Sequence, residues 1–233
     1  MPADRGPAAR RRLLAAIVAV PAGAALIYLG TPQLAAALLQ YHAAAVLAQP
    51  RSGTIAADDL KTAITDIDGA DRWWREPANS FDSGVLVMRL AVPAGGRTGY
   101  DRELLKEAER RFEQSLGEAP ANAAAWAALA DARRLESGAT PAAAAALKMS
   151  IALARYEPSL LAWRSEMGLA LFSVFDDDGK AAVADQVRLL GRRSVDDLVR
   201  VARASGKIGV VITALTTDRV TLSRFEQQLR TVR

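Results

Sequence analysis

Few side chains in this 233-residue chain have the types and spacing that chemistry requires. There is no cysteine and a single histidine, His42, so thiolate chemistry and His-rich zinc sites are excluded. The acidic residues 66–71 have the composition of a calcium-binding loop. An EF-hand loop has glycine at its sixth position and glutamate at its twelfth, whereas this segment has glycine at its fourth and proline at its twelfth. An acidic turn that caps a helix is therefore the favoured interpretation.

Glu136 is the carboxylate with the most suggestive surroundings. Together with Ser137 and Gly138 it resembles the ESGFNP-type turn of the lytic transglycosylases, in which the glutamate is the general acid and base. That resemblance implies a glycan-cleaving enzyme, but PAAAAALKMS follows where the family has a GLMQ-type segment. A loop between helices is favoured instead. No P-loop, dinucleotide fingerprint, HExxH or CxxC occurs, which removes nucleotide hydrolysis, dinucleotide redox chemistry and zinc hydrolysis as leading functions. A binding protein with no enzymatic activity, no cofactor and no metal is the prediction.

Two adjacent tryptophans lie between arginines in the sequence RWWR, at Arg72, Trp73, Trp74 and Arg75. Adjacent residues of a helix point about 100° apart, so both indoles do not easily share one buried stripe. Two core rings at a junction between helices is the favoured interpretation. In the alternative, one ring is exposed and stacks on a sugar, binds a partner or lies at a membrane interface. These four residues are therefore the candidate contacts for a partner or a glycan.

The elements that must position these residues begin with an uncharged segment from Leu13 to Pro50. As a helix, residues 13–30 extend over about 27 Å, close to the thickness of the hydrocarbon core of a bilayer. Residues 1–12 precede it and hold three of the four net positive charges. By the positive-inside rule, 1–12 is predicted to be a cytoplasmic tail and 13–30 a transmembrane helix, with the main domain on the opposite side of the membrane.

Two alternatives to an uncleaved anchor stay open. Ala22, Gly23 and Ala24 form an A-x-A pattern after a short apolar stretch, which is typical of a cleaved signal peptide. The apolar residues that continue after this pattern favour the anchor. A hairpin that turns at residues 30–32 would leave the domain in the cytoplasm, but it would place Gln40 and His42 at bilayer depth, which is costly.

A repeat-like pattern occupies the middle of the chain. Small and aromatic residues follow one another at helical spacing, a proline ends the link, and tryptophan, leucine and a small residue follow on the next helix. This pattern resembles the tetratricopeptide repeat, with Ser115 in place of the usual alanine and Arg133 in place of the usual tyrosine. A second, looser unit follows after an insertion placed at 135–140. The residues that carry the resemblance are Ala108, Phe112, Pro120, Trp126, Leu129 and Ala130, with Pro158 and Trp163 in the second unit.

The composition predicts an all-α fold, because alanine and leucine, both strong helix formers, make up about a third of the chain. We expect a helical N-terminal cap region over 33–99, tetratricopeptide-like hairpins in a solenoid over 100–175, and capping helices over 176–233. Residues 93–96 are the clearest loop. The predicted helices cover 33–49, 56–74 (where Gly69 is a candidate break), 80–92, 100–116, 121–135, 141–156, 158–175, 180–190 after an acidic loop at 176–178, 194–206, 207–215 and 217–232.

The layout as a whole resembles small membrane proteins encoded with bacterial exopolysaccharide or envelope-polysaccharide machinery. They are similar in their arginine-flanked span, their Ala/Leu-rich repeat-like middle and a helical tail, here residues 193–215 followed by SRFEQQLR. The resemblance implies a non-enzymatic scaffold or adaptor, anchored in a bacterial inner membrane with its main domain in the periplasm, that binds a protein partner in polysaccharide synthesis or export. An envelope assembly or maturation factor is the alternative. Nucleic acid is not expected as a partner, because the excess positive charge lies in the tail.

Overall fold

The structure, a computed structural model, describes residues 7–49, 55–92 and 99–231, with side chains from Ala19 onward. Every regular element in these ranges is helical, which confirms the predicted all-α class for the described part of the chain. The loop predicted at 93–96 and the helix stop at Pro50 lie outside it. The helices are α1 (Pro7–Leu47), α2 (Ala57–Trp73), α3 (Pro77–Ala91), α4 (Arg102–Glu118), α5 (Ala123–Ser137), α6 (Pro141–Leu153), α7 (Leu161–Ala170), the 3-10 helix η1 (Phe172–Val174), α8 (Asp177–Arg193), α9 (Val195–Ser205), α10 (Ile208–Leu215) and α11 (Arg219–Thr231).

The helix α1 continues without a turn through Gly30, Thr31 and Pro32. The helix predicted over 33–49 is therefore the continuation of the predicted span and not a separate element. The hairpin alternative requires a turn at residues 30–32, where the chain is helical. Pro32 removes only one helical hydrogen bond, and helices with apolar surroundings tolerate this. The hydroxyl of Thr31 donates a 2.6 Å hydrogen bond to the carbonyl of Ile27, one turn earlier in the same helix.

The acidic residues 66–71 lie inside α2, so the predicted capping turn is wrong and so is the candidate break at Gly69. The aspartates do not compete with the helix backbone, because neighbouring helices supply their hydrogen-bond partners. Asp66 accepts from His42 of α1 at 3.0 Å, and Asp71 accepts from Asn79 of α3 at 3.2 Å. A Cβ added at Gly69 would lie 3.6 Å from Leu39 of α1, which is an ordinary contact, so glycine is not required there to admit the neighbouring helix.

The caps near the C-terminus are confirmed at Asp176, Ser194 and Gly206, but the acidic loop predicted at 176–178 is wrong in part. The helix α8 begins at Asp177 and not at Lys180, because acidic side chains are favoured in the first turn of a helix. The Asp176 carboxylate accepts from the backbone N–H of Gly179 at 2.8 Å and begins α8. Ser194 caps α9 in the same way at 3.2 Å, and Gly206 ends that helix with φ of 65°, a left-handed conformation that favours glycine. Residues 207–215 contain the short helix α10, which confirms the helix predicted there.

The helices pack in chain order from α1 to α6, and α7 packs mainly against α8 and α9. A large core runs from α3 to α11, while a small second cluster joins α1, α2 and α3. The helix predicted over 158–175 is shorter, because α7 begins at Leu161 and ends at Ala170. Successive packed helices agree with the coarse prediction, whereas stacking of helix pairs as a tetratricopeptide solenoid stays a prediction.

Candidate functional site

Residues 26–29 of α1 expose apolar side chains in every direction. Four consecutive residues, Leu26 to Leu29, have between 65 and 80% of their surface exposed. Successive residues are rotated by about 100°, so four of them cover the whole circumference of a helix. Trp73 of α2 lies beside one side of this segment, and its apolar side chains nevertheless stay largely exposed. Among the described residues, one helix near the N-terminus, Ala19–Leu47, is long and apolar enough to cross a membrane. This confirms an apolar N-terminal helix, whereas the predicted bounds 13–30 stay a prediction.

The last part of α1 is fixed to the domain. Ala36, Ala43 and Val46 are buried, and the last two share a cluster with Leu60 and Ile67 of α2. Arg89 of α3 donates to the carbonyls of Val46 and Leu47 at 3.1 and 3.2 Å, where the end of a helix leaves carbonyls without partners. The apolar segment and the docked segment belong to one helix, so the domain has a defined position relative to the exposed segment.

The surface where α1 leaves the domain is here named the membrane-proximal corner, after the position that we propose for it. It consists of residues 24–32 of α1 together with Arg72, Trp73, Trp74 and Arg75 at the end of α2. An apolar cavity of about 480 Å³ lies between the two parts. Its walls are Ala24, Ile27, Tyr28, Thr31, Pro32 and Trp73.

Both tryptophans of the corner are exposed, Trp73 by 55% and Trp74 by 42%, so the favoured prediction of two core rings is wrong. The buried face of α2 ends at Ala70, and Trp73 is its last helical residue, so no later turn of α2 covers the ring. Asn79 fixes the corner from α3, since its amide donates to the Trp74 carbonyl at 3.2 Å and its oxygen accepts from Gln40 of α1 at 2.6 Å.

The two arginines of the corner differ in their partners. Arg75 donates to Glu118 of α4 at 2.6 and 3.0 Å, which ties the corner to the middle of the chain. Arg72 is exposed and forms no ion pair with any residue of the described part. The sequence pattern RWWR therefore supplies one structural arginine and one that faces solvent.

The residues that carry the repeat-like pattern lie at helix contacts. Ala108, Phe112, Leu129 and Ala130 are buried in the large core. Ser115, which replaces the usual alanine, is also buried. Its hydroxyl is satisfied there, because it donates to the Pro77 carbonyl at 2.9 Å. The prolines Pro120 and Pro158 are exposed in links between helices.

The tryptophans of the repeat-like part are half-buried, each at a packing position. The indole N–H of Trp126 donates to the Pro120 carbonyl at 2.9 Å, and that of Trp163 to Asp131 at 2.9 Å. Arg133, in place of the usual tyrosine, joins α5 to α4 through Glu109 and Glu113, each at 2.7 Å.

One polar contact that sequence reasoning missed is centred on Arg111 of α4. Its guanidinium donates to both oxygens of Asp68 in α2, at 2.5 and 3.0 Å, and to the hydroxyl of Ser83 in α3. It also donates to Glu107 at 2.7 Å. Hydrogen bonds from Arg110 and Arg111 lower the pKa of Glu107 to about 2, against the effect of partial burial. This network joins α2, α3 and α4.

A second missed residue, Arg164 of α7, is fully buried. It donates to the Ser150 hydroxyl at 3.0 Å and to the carbonyls of Ser150 and Ala154 at 2.7 and 2.6 Å. These carbonyls lie at the end of α6, where the helix dipole favours a cation. Burial lowers the pKa of Arg164 to about 10. Neither arginine carries a sequence signal beyond its lying in a predicted helix.

A wider apolar groove of about 640 Å³ lies between α8 and α10. Small side chains line it, among them Ala181 and Ala184 of α8 and Gly209 and Thr213 of α10, and Lys180 and Arg188 add positive charge to its walls. Its volume and apolar lining are in the range of ligand-binding pockets. Sequence reasoning did not single out this groove, because its two walls come from helices that are adjacent only in space.

The other candidate chemical residues are not brought together. Glu136 lies at the end of α5, outside the walls of both cavities, and accepts from the Ser137 hydroxyl at 2.7 Å. His42 contacts Asp66 on a partly exposed surface of α1 and α2. Among the described residues, no group of three or more histidine, aspartate or glutamate side chains is arranged to hold a metal ion.

Comparison with protein-family models, with curated proteins and with solved structures finds no match for this chain. The class that its own residues define is an all-α domain attached to one N-terminal apolar helix.

Proposed function

We propose that this chain is a non-enzymatic, single-pass membrane scaffold that holds a helical domain against the bilayer and binds a protein partner there. The observation that carries the proposal is the continuity of α1. Its residues 26–29 expose apolar side chains on all sides, whereas Ala43 and Val46 of the same helix pack into the domain. Such a helix needs apolar surroundings at one end and the domain at the other.

The proposed orientation places the N-terminus in the cytoplasm and the domain in the periplasm of a bacterium. Arg10, Arg11 and Arg12 directly precede the apolar stretch, and no further lysine or arginine follows until Arg51. This asymmetry supports the orientation by the positive-inside rule. A role in envelope-polysaccharide synthesis or export is proposed from the resemblance in layout alone.

The groove between α8 and α10 is the proposed contact for the partner. Its walls are apolar and contain small residues, so a helix or strand can approach closely. Lys180 pairs with Asp177 at 3.6 Å and Arg188 with Asp185 at 3.8 Å, so the charges of the groove are already matched within the chain and its apolar lining favours an apolar partner segment. The walls come from α8 and α10 and include no residue of α1, so the apolar segment does not line this groove.

The orientation is tested by fusing alkaline phosphatase, or a fluorescent protein that matures only in the cytoplasm, after Arg233. We expect active phosphatase, no fluorescence and a full-length product that resists extraction from the membrane. Fluorescence without phosphatase activity would refute the periplasmic domain. An active but shortened and extractable product would refute the anchor in favour of cleavage near Ala24.

The groove is tested in cells with a photo-crosslinking amino acid at Thr213. A matched probe at Ala145, an exposed position on α6, is the control. We expect one discrete adduct from Thr213 and none from Ala145, and we expect Ala184→Trp to abolish it by filling the groove. An adduct that persists with Ala184→Trp, or that forms equally from both probes, would refute the groove as the partner site.

A further inference from the structure

The geometry points to a second contact with the membrane: the membrane-proximal corner binds phospholipid at the level of the headgroups and thereby sets the depth of the domain on the bilayer. This inference rests on the proposed anchoring by α1. It assigns the rings of Trp73 and Trp74 to the lipid interface and Arg72 to the phosphates.

The position of the corner along α1 carries the first part of the argument. Measured from Leu13, the helical rise places Ala24 at about 16 Å and Pro32 at about 28 Å, and the hydrocarbon core is about 30 Å thick. Residues 24–32 form one wall of the corner cavity and Trp73 forms the other. The ring therefore lies beside the part of α1 that approaches the outer edge of the core, where tryptophan is enriched in membrane proteins.

The occupant follows from continuity of the apolar surface. Ile27 and Tyr28 line the cavity and belong to the segment that exposes side chains in all directions. Any lipid chain that covers Ile27 and Tyr28 from the side of α2 also contacts Trp73. An aqueous cavity with this lining would leave one large apolar surface in water, which soluble domains rarely do.

Charge complementarity carries the second part. Arg72 lies in the last turn of α2, next to Trp73, and has no ion-pair partner among the described residues. Arg75, by contrast, is bound to Glu118. A guanidinium beside interfacial indoles matches the phosphates of lipid headgroups, with which arginine forms bidentate hydrogen bonds.

The test uses the full chain in vesicles of phosphatidylcholine and phosphatidylglycerol. Its four tryptophans form two pairs, one in the corner and one in the repeat-like part, so each pair can be kept while the other is replaced. Trp126→Phe with Trp163→Phe leaves the corner pair as the only tryptophans, and excitation at a wavelength that tyrosine does not absorb isolates their fluorescence. Trp73→Phe with Trp74→Phe leaves the pair in the repeat-like part as the matched control. Each protein is reconstituted with lipids brominated either near the glycerol or near the methyl end of the acyl chain.

We expect about a twofold loss of fluorescence for the corner pair with bromine near the glycerol, and less with bromine near the methyl end, since interfacial indoles lie at the headgroup level. The control pair is expected to keep its fluorescence. Equal quenching of both pairs, or none for the corner pair, would overturn the inference. If the double variant that isolates the corner pair fails to fold, the wild-type chain must lose quenching when Trp73 and Trp74 become Phe.

Flotation with the vesicles separates this inference from the proposed function. A chain that does not float with lipid refutes the anchoring itself, whereas a chain that floats without quenching of the corner pair refutes only the inference. Quenching of the corner pair is expected to be stronger in vesicles that contain anionic phosphatidylglycerol than in phosphatidylcholine alone, because Arg72 is a cation. Arg72→Gln is expected to abolish this difference, and Arg75→Gln to preserve it. The reverse result would overturn the role of Arg72.

Discussion

The membrane-proximal corner and the repeat-like middle each contain a pair of tryptophans, and the two pairs have opposite surroundings. Trp126 and Trp163 are half-buried, and their indoles donate to Pro120 and Asp131. Trp73 and Trp74 are more exposed, and the indole of Trp74 bonds only to nearby Glu76, at 3.1 Å. Trp163 satisfies its indole N–H across the fold and Trp126 does so within the link that precedes its helix, whereas the corner pair leaves more of its apolar surface to the surroundings.

The difference teaches where the chain keeps its stability and where it keeps its contacts. The large core extends from α3 to α11 and includes the middle of the chain, whereas α1 and α2 pack mainly through a small cluster around Leu60 and Ile67. Substitutions in the middle should therefore lower the free energy of unfolding. Substitutions in the corner should change the position on the membrane and leave stability nearly unchanged.

The largest loss of stability is expected from Phe112→Ala. Phe112 is fully buried, lies 6.0 Å from the Phe81 ring centroid, and faces Gly84 so closely that an added Cβ would meet its ring at 2.7 Å. Its removal should lower the free energy of unfolding by about 4 kcal/mol through lost burial and a cavity. Urea unfolding of the full chain in detergent measures this, and a loss below that of Trp73→Ala would contradict the comparison.

The next largest effect is expected from Arg164→Met, which keeps an apolar stem but removes the guanidinium. The carbonyls of Ser150 and Ala154 would lose their donors inside the protein, and we expect a loss of about 2 kcal/mol. Arg164→Lys is the control, because it keeps the charge without the planar fork of donors. Its free energy of unfolding should lie between those of the wild type and Arg164→Met. Wild-type stability for both variants would show that the end of α6 does not depend on this residue.

These two residues also show what the sequence could and could not predict. Phe112 follows from the four- and three-residue spacing of one helix face, and the caps at Asp176 and Ser194 follow from local hydrogen-bond chemistry. Arg164 could not be predicted, since its acceptors come from another helix. Trp73 continues the stripe of buried residues in α2, so its spacing alone predicts a buried ring. It is exposed because α2 ends at this residue and no later turn covers it.

The sharpest matched pair is Trp163→Phe against Trp73→Phe. In the first, Asp131 loses a donor that reaches it from α7, and we expect a loss of about 1 kcal/mol. In the second, the ring stays exposed with no hydrogen bond across the fold removed, and the change should stay within about 0.5 kcal/mol. Both are measured by urea unfolding in the same detergent. Equal losses would mean that the two tryptophan pairs do not differ in structural role.

The smallest effect concerns acid and the network that joins the corner helix α2 to the middle. Arg110 and Arg111 lower the pKa of Glu107 to about 2 from an ordinary 4.5. A carboxyl whose pKa is lowered by folding stabilises the folded state fully above pH 4.5 and loses that contribution as the pH falls toward 2. Because about a third of the side chain is exposed, solvent screening limits the contribution to about 1 kcal/mol.

Glu107→Gln should therefore flatten the dependence of stability on pH between pH 4.5 and 2, measured by thermal unfolding at several pH values. Glu103→Gln is the control, since Glu103 pairs with Lys106 at an exposed site, and a steep profile that survives in the Glu107 variant would contradict the assignment.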